Sequence, residues 1–128
     1  MFLTTLVLGL SLVLAPVLSP PEISAKDKPS SSTCAEGKVC NLTCSHGGCT
    51  TTCEKGATCN ATCSGGRCTE SCKAGAVCNF TCSGGGCTTT CAAGSTCNLT
   101  CSGGKCQRTC DKGARCNATC SGGDCKGP

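Results

Sequence analysis

The chain is 128 residues long with a formal net charge of +4, and 20 of its residues are cysteine against two Phe and no Trp or Tyr. So few large apolar side chains exclude a globular domain held by an ordinary hydrophobic core. The even, dense cysteine count points instead to cross-links formed in an oxidising compartment, and the basic residues, scattered without aromatic interleaving, leave no footprint for nucleic acid.

Residues 1–25, MFLTTLVLGLSLVLAPVLSPPEISA, hold an apolar run to Leu14, then Pro16, Pro20 and Pro21, and no cysteine. That is the layout of a secretory signal peptide, too short and too proline-ended for a comfortable membrane span. Cleavage after Ala25 fits better than after Ser19, which would leave Pro20 next to the cut. The n-region lacks Lys and Arg, and an uncleaved anchor is the alternative. No apolar tail follows near Pro128, so the expectation is a secreted, extracellular chain with no membrane association after cleavage. Residues 26–33, KDKPSSST, are expected to form a flexible polar leader.

From Cys34 onward one unit is written five times at a period of 19 residues, C-x-x-G-x-x-C-N-x-T-C-S-x-G-x-C-x-x-x, without insertion. Residues 34–128 are therefore read as one repeat domain. Each unit splits into two half-units, and each half-unit is a glycine-centred turn followed by a short segment. Gly37 and its equivalents centre one turn and Gly47 and its equivalents the other, which suggests positive φ there. Segments such as Cys40-Asn41-Leu42-Thr43-Cys44 alternate, with cysteines and one apolar residue (Leu42, Ala61, Phe80, Leu99 or Ala118) on one face and Asn and Thr on the other. The second segment carries Thr51, Glu70, Thr89 or Arg108 in the middle, so it is expected to be irregular or to turn its charges outward. The fold class expected is mainly β: a small disulfide-rich solenoid of five coils, ~25 Å long at the usual strand spacing, with little or no helix after the signal peptide. In its use of bridges in place of a core it resembles the insect antifreeze solenoids. Their shorter unit and Thr-x-Thr motif are not read here, and the family is not assigned.

Pairing across turns uses every cysteine: Cys34–Cys40, Cys44–Cys49, Cys53–Cys59, Cys63–Cys68, Cys72–Cys78, Cys82–Cys87, Cys91–Cys97, Cys101–Cys106, Cys110–Cys116 and Cys120–Cys125. Pairing along a strand, as in Cys40 with Cys44, fails because residues four apart in a strand lie ~13 Å apart and a bridge needs Cα atoms within ~7 Å. Bridges between coils remain open on sequence alone. Each small loop contributes ~2 kcal/mol on the chain-entropy model.

The motifs point away from enzyme chemistry, and neither catalytic nor cofactor-binding residues are expected. No cysteine pair has metallothionein-like C-x-C or C-x-x-C spacing, so no metal site is expected, and the redox motif is missing as well. His46, the single imidazole, fills a turn slot that is Gly65, Gly84, Gly103 and Gly122 elsewhere, and reads as drift in a solvated turn. Asn41, Asn60, Asn79, Asn98 and Asn117 each open an Asn-x-Thr acceptor sequon, yet stacked coils would bring them ~4.8 Å apart, so partial N-glycosylation is expected. The functional expectation is a secreted structural, matrix or surface protein, with a carbohydrate or matrix partner and end-to-end self-association in view. The alternative is a binding module for ice or carbohydrate using a flat face of Thr43, Thr62, Thr81, Thr100 and Thr119; a metallothionein-like metal binder and a cationic toxin or antimicrobial rank below it.

Overall fold

The computed structural model describes residues 30–127; the signal-peptide reading of residues 1–25 and the first part of the leader lie outside the described residues. Ten strands alternate in length along the chain. The four-residue strands are β1 (Ser31–Cys34), β3 (Thr50–Cys53), β5 (Thr69–Cys72), β7 (Thr88–Cys91) and β9 (Gln107–Cys110). The six-residue strands are β2 (Val39–Cys44), β4 (Thr58–Cys63), β6 (Val77–Cys82), β8 (Thr96–Cys101) and β10 (Arg115–Cys120). Each class forms its own five-stranded sheet, in the orders β1-β3-β5-β7-β9 and β2-β4-β6-β8-β10. Every pairing is parallel, and every residue lies opposite its equivalent in the next repeat, as in Asn60 with Asn79 and Cys53 with Cys72. One repeat is thus one coil of a β-solenoid.

The period explains the register. A strand of either sheet can move by two residues without changing its inward face, but only the 19-residue step also brings cysteine onto cysteine and glycine turn onto glycine turn. Turn amides continue the ladder between coils: Ser64 N–H donates to Cys44 C=O at 2.9 Å and Lys73 N–H to Cys53 C=O at 2.9 Å. Ser31–Thr33 belong to β1 and pair with Thr50–Thr52, so ordered structure begins inside the stretch expected to be leader. The hydroxyl-rich run Ser-Ser-Thr is an extended coil edge of the same type as Thr-Thr-Thr in β3.

Ten disulfides rivet the coils, each closing across one turn. They join Cys34–Cys40 and Cys44–Cys49 in the first coil and their equivalents through Cys110–Cys116 and Cys120–Cys125 in the last, with Cα separations of 5.8–6.5 Å. Their sulfurs form two columns, one on each side of the apolar column Leu42, Ala61, Phe80, Leu99 and Ala118, buried in the middle coils and exposed at Cys120 and Cys125. Phe80 is buried, stacked between Ala61 and Leu99, and contributes ~1.5–3 kcal/mol by leaving water. A further inward column, Ala57, Ala76 and Ser95, fills the corner under the first turn.

The short segments differ from the expectation. They are regular strands, and their middle residues point inward: Thr51, Glu70 and Thr89 are buried, Glu70 at 1% exposure. Parallel registry fixes their facing, because turning Glu70 outward would turn Cys72 outward too. The carboxyl is accommodated by a hydrogen bond from the Thr89 hydroxyl to Glu70 Oε2, 2.9 Å long, one coil along. Burial pushes the Glu70 carboxyl up to about 7, against a smaller lowering by Thr89. Arg108, in the last full coil of this sheet, is half-buried, and its Nε has no hydrogen-bond partner among the described residues.

Two glycine requirements appear at the turns. Gly56 adopts φ +69°, and a Cβ there would meet nothing, so the constraint is conformational. Gly84 has ordinary φ, but a Cβ would lie 2.5 Å from Gly66 N, on the backbone of the preceding coil. The second turn is therefore a stack of bare backbones. Equivalent residues at its next position but one include Arg67 and Lys105, which hold φ of +56° and +55° with their side chains in solvent.

Candidate functional site: the two outer faces

The interior is filled by cystine, and two flat outer faces present regular columns of side chains to solvent. The long-strand face carries the Asn and Thr columns. Its asparagines bind one another: Asn60 Nδ2 donates to Asn41 Oδ1 at 2.9 Å, Asn79 to Asn60 at 2.9 Å, Asn98 to Asn79 at 2.8 Å and Asn117 to Asn98 at 3.0 Å. All five sequon asparagines sit on this face, exposed or half-buried. The Nδ2 atom that would carry a sugar is the ladder donor in every coil but the first. One of its two hydrogens suffices for the ladder, so attachment and ladder are chemically compatible, whereas sugars on adjacent coils compete for the ~4.8 Å between strands.

Thr43, Thr62, Thr81, Thr100 and Thr119 run beside this ladder and face outward. The remaining outward column of the sheet is mixed: Val39, Thr58, Val77, Thr96 and Arg115, with Val39 70% exposed. The expected Thr-rich face is therefore a three-column surface of self-bonded amides, hydroxyls and a Val/Thr/Arg stripe.

The short-strand face has a different chemistry, and it corrects the reading that no Thr-x-Thr motif recurs. Thr50/Thr52 and Thr88/Thr90 are such pairs, Thr69/Ser71 and Ser31/Thr33 are close variants, and Gln107/Thr109 ends the series. The central residue of each triplet points inward, so these pairs form two straight outward columns. Nine of the ten positions carry a hydroxyl, and no charged or aromatic side chain lies among them. Among the described residues the hydroxyls hydrogen-bonded within the protein are those of Ser30, Thr89 and Ser95. The face is therefore an open array, ~4.8 Å between coils and ~6.7 Å along each strand. The signal was present in CTTTC and CTESC but was hidden by reading the inward Glu70 as evidence against a strand.

Between the faces, the glycine turns line a shallow open groove edged by His46, Arg67 and Lys105. Groups of three sulfurs lie close together, as at Cys63, Cys82 and Cys87. All are cystine sulfurs, and no described cysteine is free, so they carry no thiolate to offer a cation. His46 is exposed on its turn, and Glu70, whose carboxyl is held above its ordinary range, is sealed inside away from it. No protein-family model, no curated protein and no solved structure matches the chain.

Proposed function

We propose that this protein is a secreted, non-enzymatic structural element of an extracellular matrix or surface coat, a short rod riveted by cystine and N-glycosylated in part. The observation that carries the reading is the cross-linking itself: the described chain has ten local disulfides and no free cysteine. A chain whose interior is cystine keeps its shape only where thiols stay oxidised. Expression through a eukaryotic secretory pathway tests this. Peptide maps of the secreted protein with and without reduction are expected to recover across-turn cystine peptides, and immunolocalisation to place the protein in the matrix or coat. A majority of free thiols, or retention inside the cell, defeats the reading. Intact mass before and after N-glycan removal is expected to fall by fewer glycans than there are sequons; no shift removes the glycan.

One observation favours a second reading, that the rod is a binding module. The short-strand face presents unsatisfied hydroxyls at fixed spacing on a rigid, uncharged plane. A rigid periodic partner matches such a plane best, and ice is the simplest. A sugar chain is the poorer match, because sugar rings dock on aromatic side chains and the chain has no Trp or Tyr. Thermal hysteresis of the purified protein, lost in Thr69→Lys, supports this; no ice shaping at millimolar protein sinks it.

A further inference from the structure

We propose that the two ends of the rod form a latent head-to-tail interface for a second copy of this chain, held shut by His46 at one end and by Lys126–Gly127 at the other. This rests on the riveted rod described above.

The ends are complementary because both are cut from one lattice. β2 and β10 are the two edges of the long-strand sheet. At the C-terminal edge Ala118 and Cys120 are exposed, whereas their equivalents Leu99 and Cys101 are buried under the next coil. At the other edge Cys40, Leu42 and Cys44 are only half-buried. Continuing the 19-residue step past β10 would set a second copy's Cys40, Leu42 and Cys44 on Cys116, Ala118 and Cys120. Leu over Ala is already the fit of Leu42 on Ala61 and of Leu99 beside Ala118. The asparagine ladder is directional: among the described residues Asn117 Oδ1 has no donor and Asn41 Nδ2 has no acceptor. A joined pair would close that bond. Reversing every amide would exchange the two ends and leave them equally complementary.

Three features oppose the joint, the first being that the 19-residue step sets an incoming Ser30 on Cys125. A Cβ on Gly65, Gly84, Gly103 or Gly122 would fall onto the backbone of the preceding coil, at Gly84 only 2.5 Å from Gly66 N. His46 holds this position in the first coil and is tolerated because no described coil precedes it. In a joint, its Cβ would fall on the Gly122–Gly123 backbone of the preceding copy. On the short-strand sheet Lys126 bridges to Gln107, Lys126 N–H donates to Cys106 C=O at 2.8 Å, and Arg108 N–H donates to Lys126 C=O at 2.9 Å. By the same step that is the place of an incoming Ser31. His46 is thus a steric stop, and Lys126–Gly127 fill the neighbouring sheet edge, which would otherwise be an open template.

Sedimentation velocity and negative-stain microscopy on secreted, deglycosylated protein test this with three chains. Wild type is expected to stay monomeric. His46→Gly with a mature chain beginning at Ser31 and truncated after Cys125 is expected to form rods in a concentration-dependent way; His46→Gly installs the residue of the four equivalent turns, and starting at Ser31 frees the place that Cys125 already fills. Adding Ala118→Arg to that variant puts an unpaired charge in the joint and is expected to weaken association by more than ~10-fold. At substoichiometric amounts the triple variant should also cap and shorten the rods. A cystine map and far-UV circular dichroism on each chain separate loss of the rod from loss of the joint. The proposal is overturned if the opened variant, correctly folded, stays monomeric, if wild type assembles equally well, or if Ala118→Arg changes nothing.

Discussion

Glu70 offers the sharpest quantitative test of the interior. Its carboxyl is buried, accepts one hydrogen bond from Thr89, and is pushed from its ordinary value of 4.5 up to about 7. Below pH 4.5 the group is protonated in the folded and unfolded chains alike and costs nothing. Between 4.5 and about 7 the unfolded chain releases a proton that the folded chain retains, so stability falls as pH rises. Above about 7 the full penalty is present. The gap between 4.5 and about 7, at ~1.36 kcal/mol per pH unit, makes this about 3 kcal/mol. Glu70→Gln keeps a carbonyl acceptor for the Thr89 hydroxyl and does not titrate. It should match wild type at pH 4 and exceed it by about 3 kcal/mol at pH 8, on the order of 10–20 °C in Tm. The measurement is guanidinium and thermal unfolding of both proteins with disulfides intact, at pH 4, 6 and 8, followed by far-UV circular dichroism. Groups common to both chains cancel in the difference. A difference that stays flat from pH 4 to 8 would refute the argument and place the carboxylate in contact with solvent.

Three pairs of substitutions probe the other elements of the coil. Phe80→Ala empties the largest buried side chain and should cost ~3–5 kcal/mol, against less than ~1.5 kcal/mol for Phe80→Leu, read from urea midpoints; equal effects would mean that cystine alone fills the interior. Gly56→Ala should cost only the ~1–2 kcal/mol of a left-handed residue with a Cβ, while Gly84→Ala, driven into Gly66 N, should cost more and loosen amide protection in the adjacent coil as read by hydrogen exchange. Asn79→Ala, made in a host without glycosylation, removes two ladder bonds where Asn117→Ala removes one. At ~0.5–1.5 kcal/mol per bond, the former should melt lower; the reverse order would show the ladder to be incidental.

Much of the architecture was legible because cysteine and glycine recur at one unbroken step. The coil number, the period, the long strands and their inward column follow from alternation between fixed cysteines. What was not legible had physical reasons. Glu70 and Arg108 concealed the short strands, because a lone acid at a core position argues against burial until a partner such as Thr89 is placed one coil away. That misreading also hid the hydroxyl pairs on the opposite side of the same residues. His46 looked like drift because sequence shows only that a glycine is missing. The reason, a backbone approach directed at the preceding coil, exists only in three dimensions. Ser31–Thr33 read as leader since no cysteine precedes them, although they carry the same small polar pattern as β3.

The tolerance of Glu70 follows from how the rod is held. In an ordinary domain each core side chain shares the work of offsetting chain entropy, and a buried acid worth about 3 kcal/mol above neutral pH would remove a large part of the net stability. Here each disulfide closes a loop with a sequence separation of only 5 or 6 and acts on the unfolded chain locally, at ~2 kcal/mol. Because the loops are independent, a penalty in one coil does not loosen the rivets of the next. The apolar column can then run from Ala61 to Phe80 to Leu99, and the facing column from Thr51 to Glu70 to Thr89 to Arg108, while the cysteine and glycine positions stay fixed. Cross-links govern shape and interior residues only fill it, so the outer columns are free to carry function: self-satisfied amides on one face, open hydroxyls on the other.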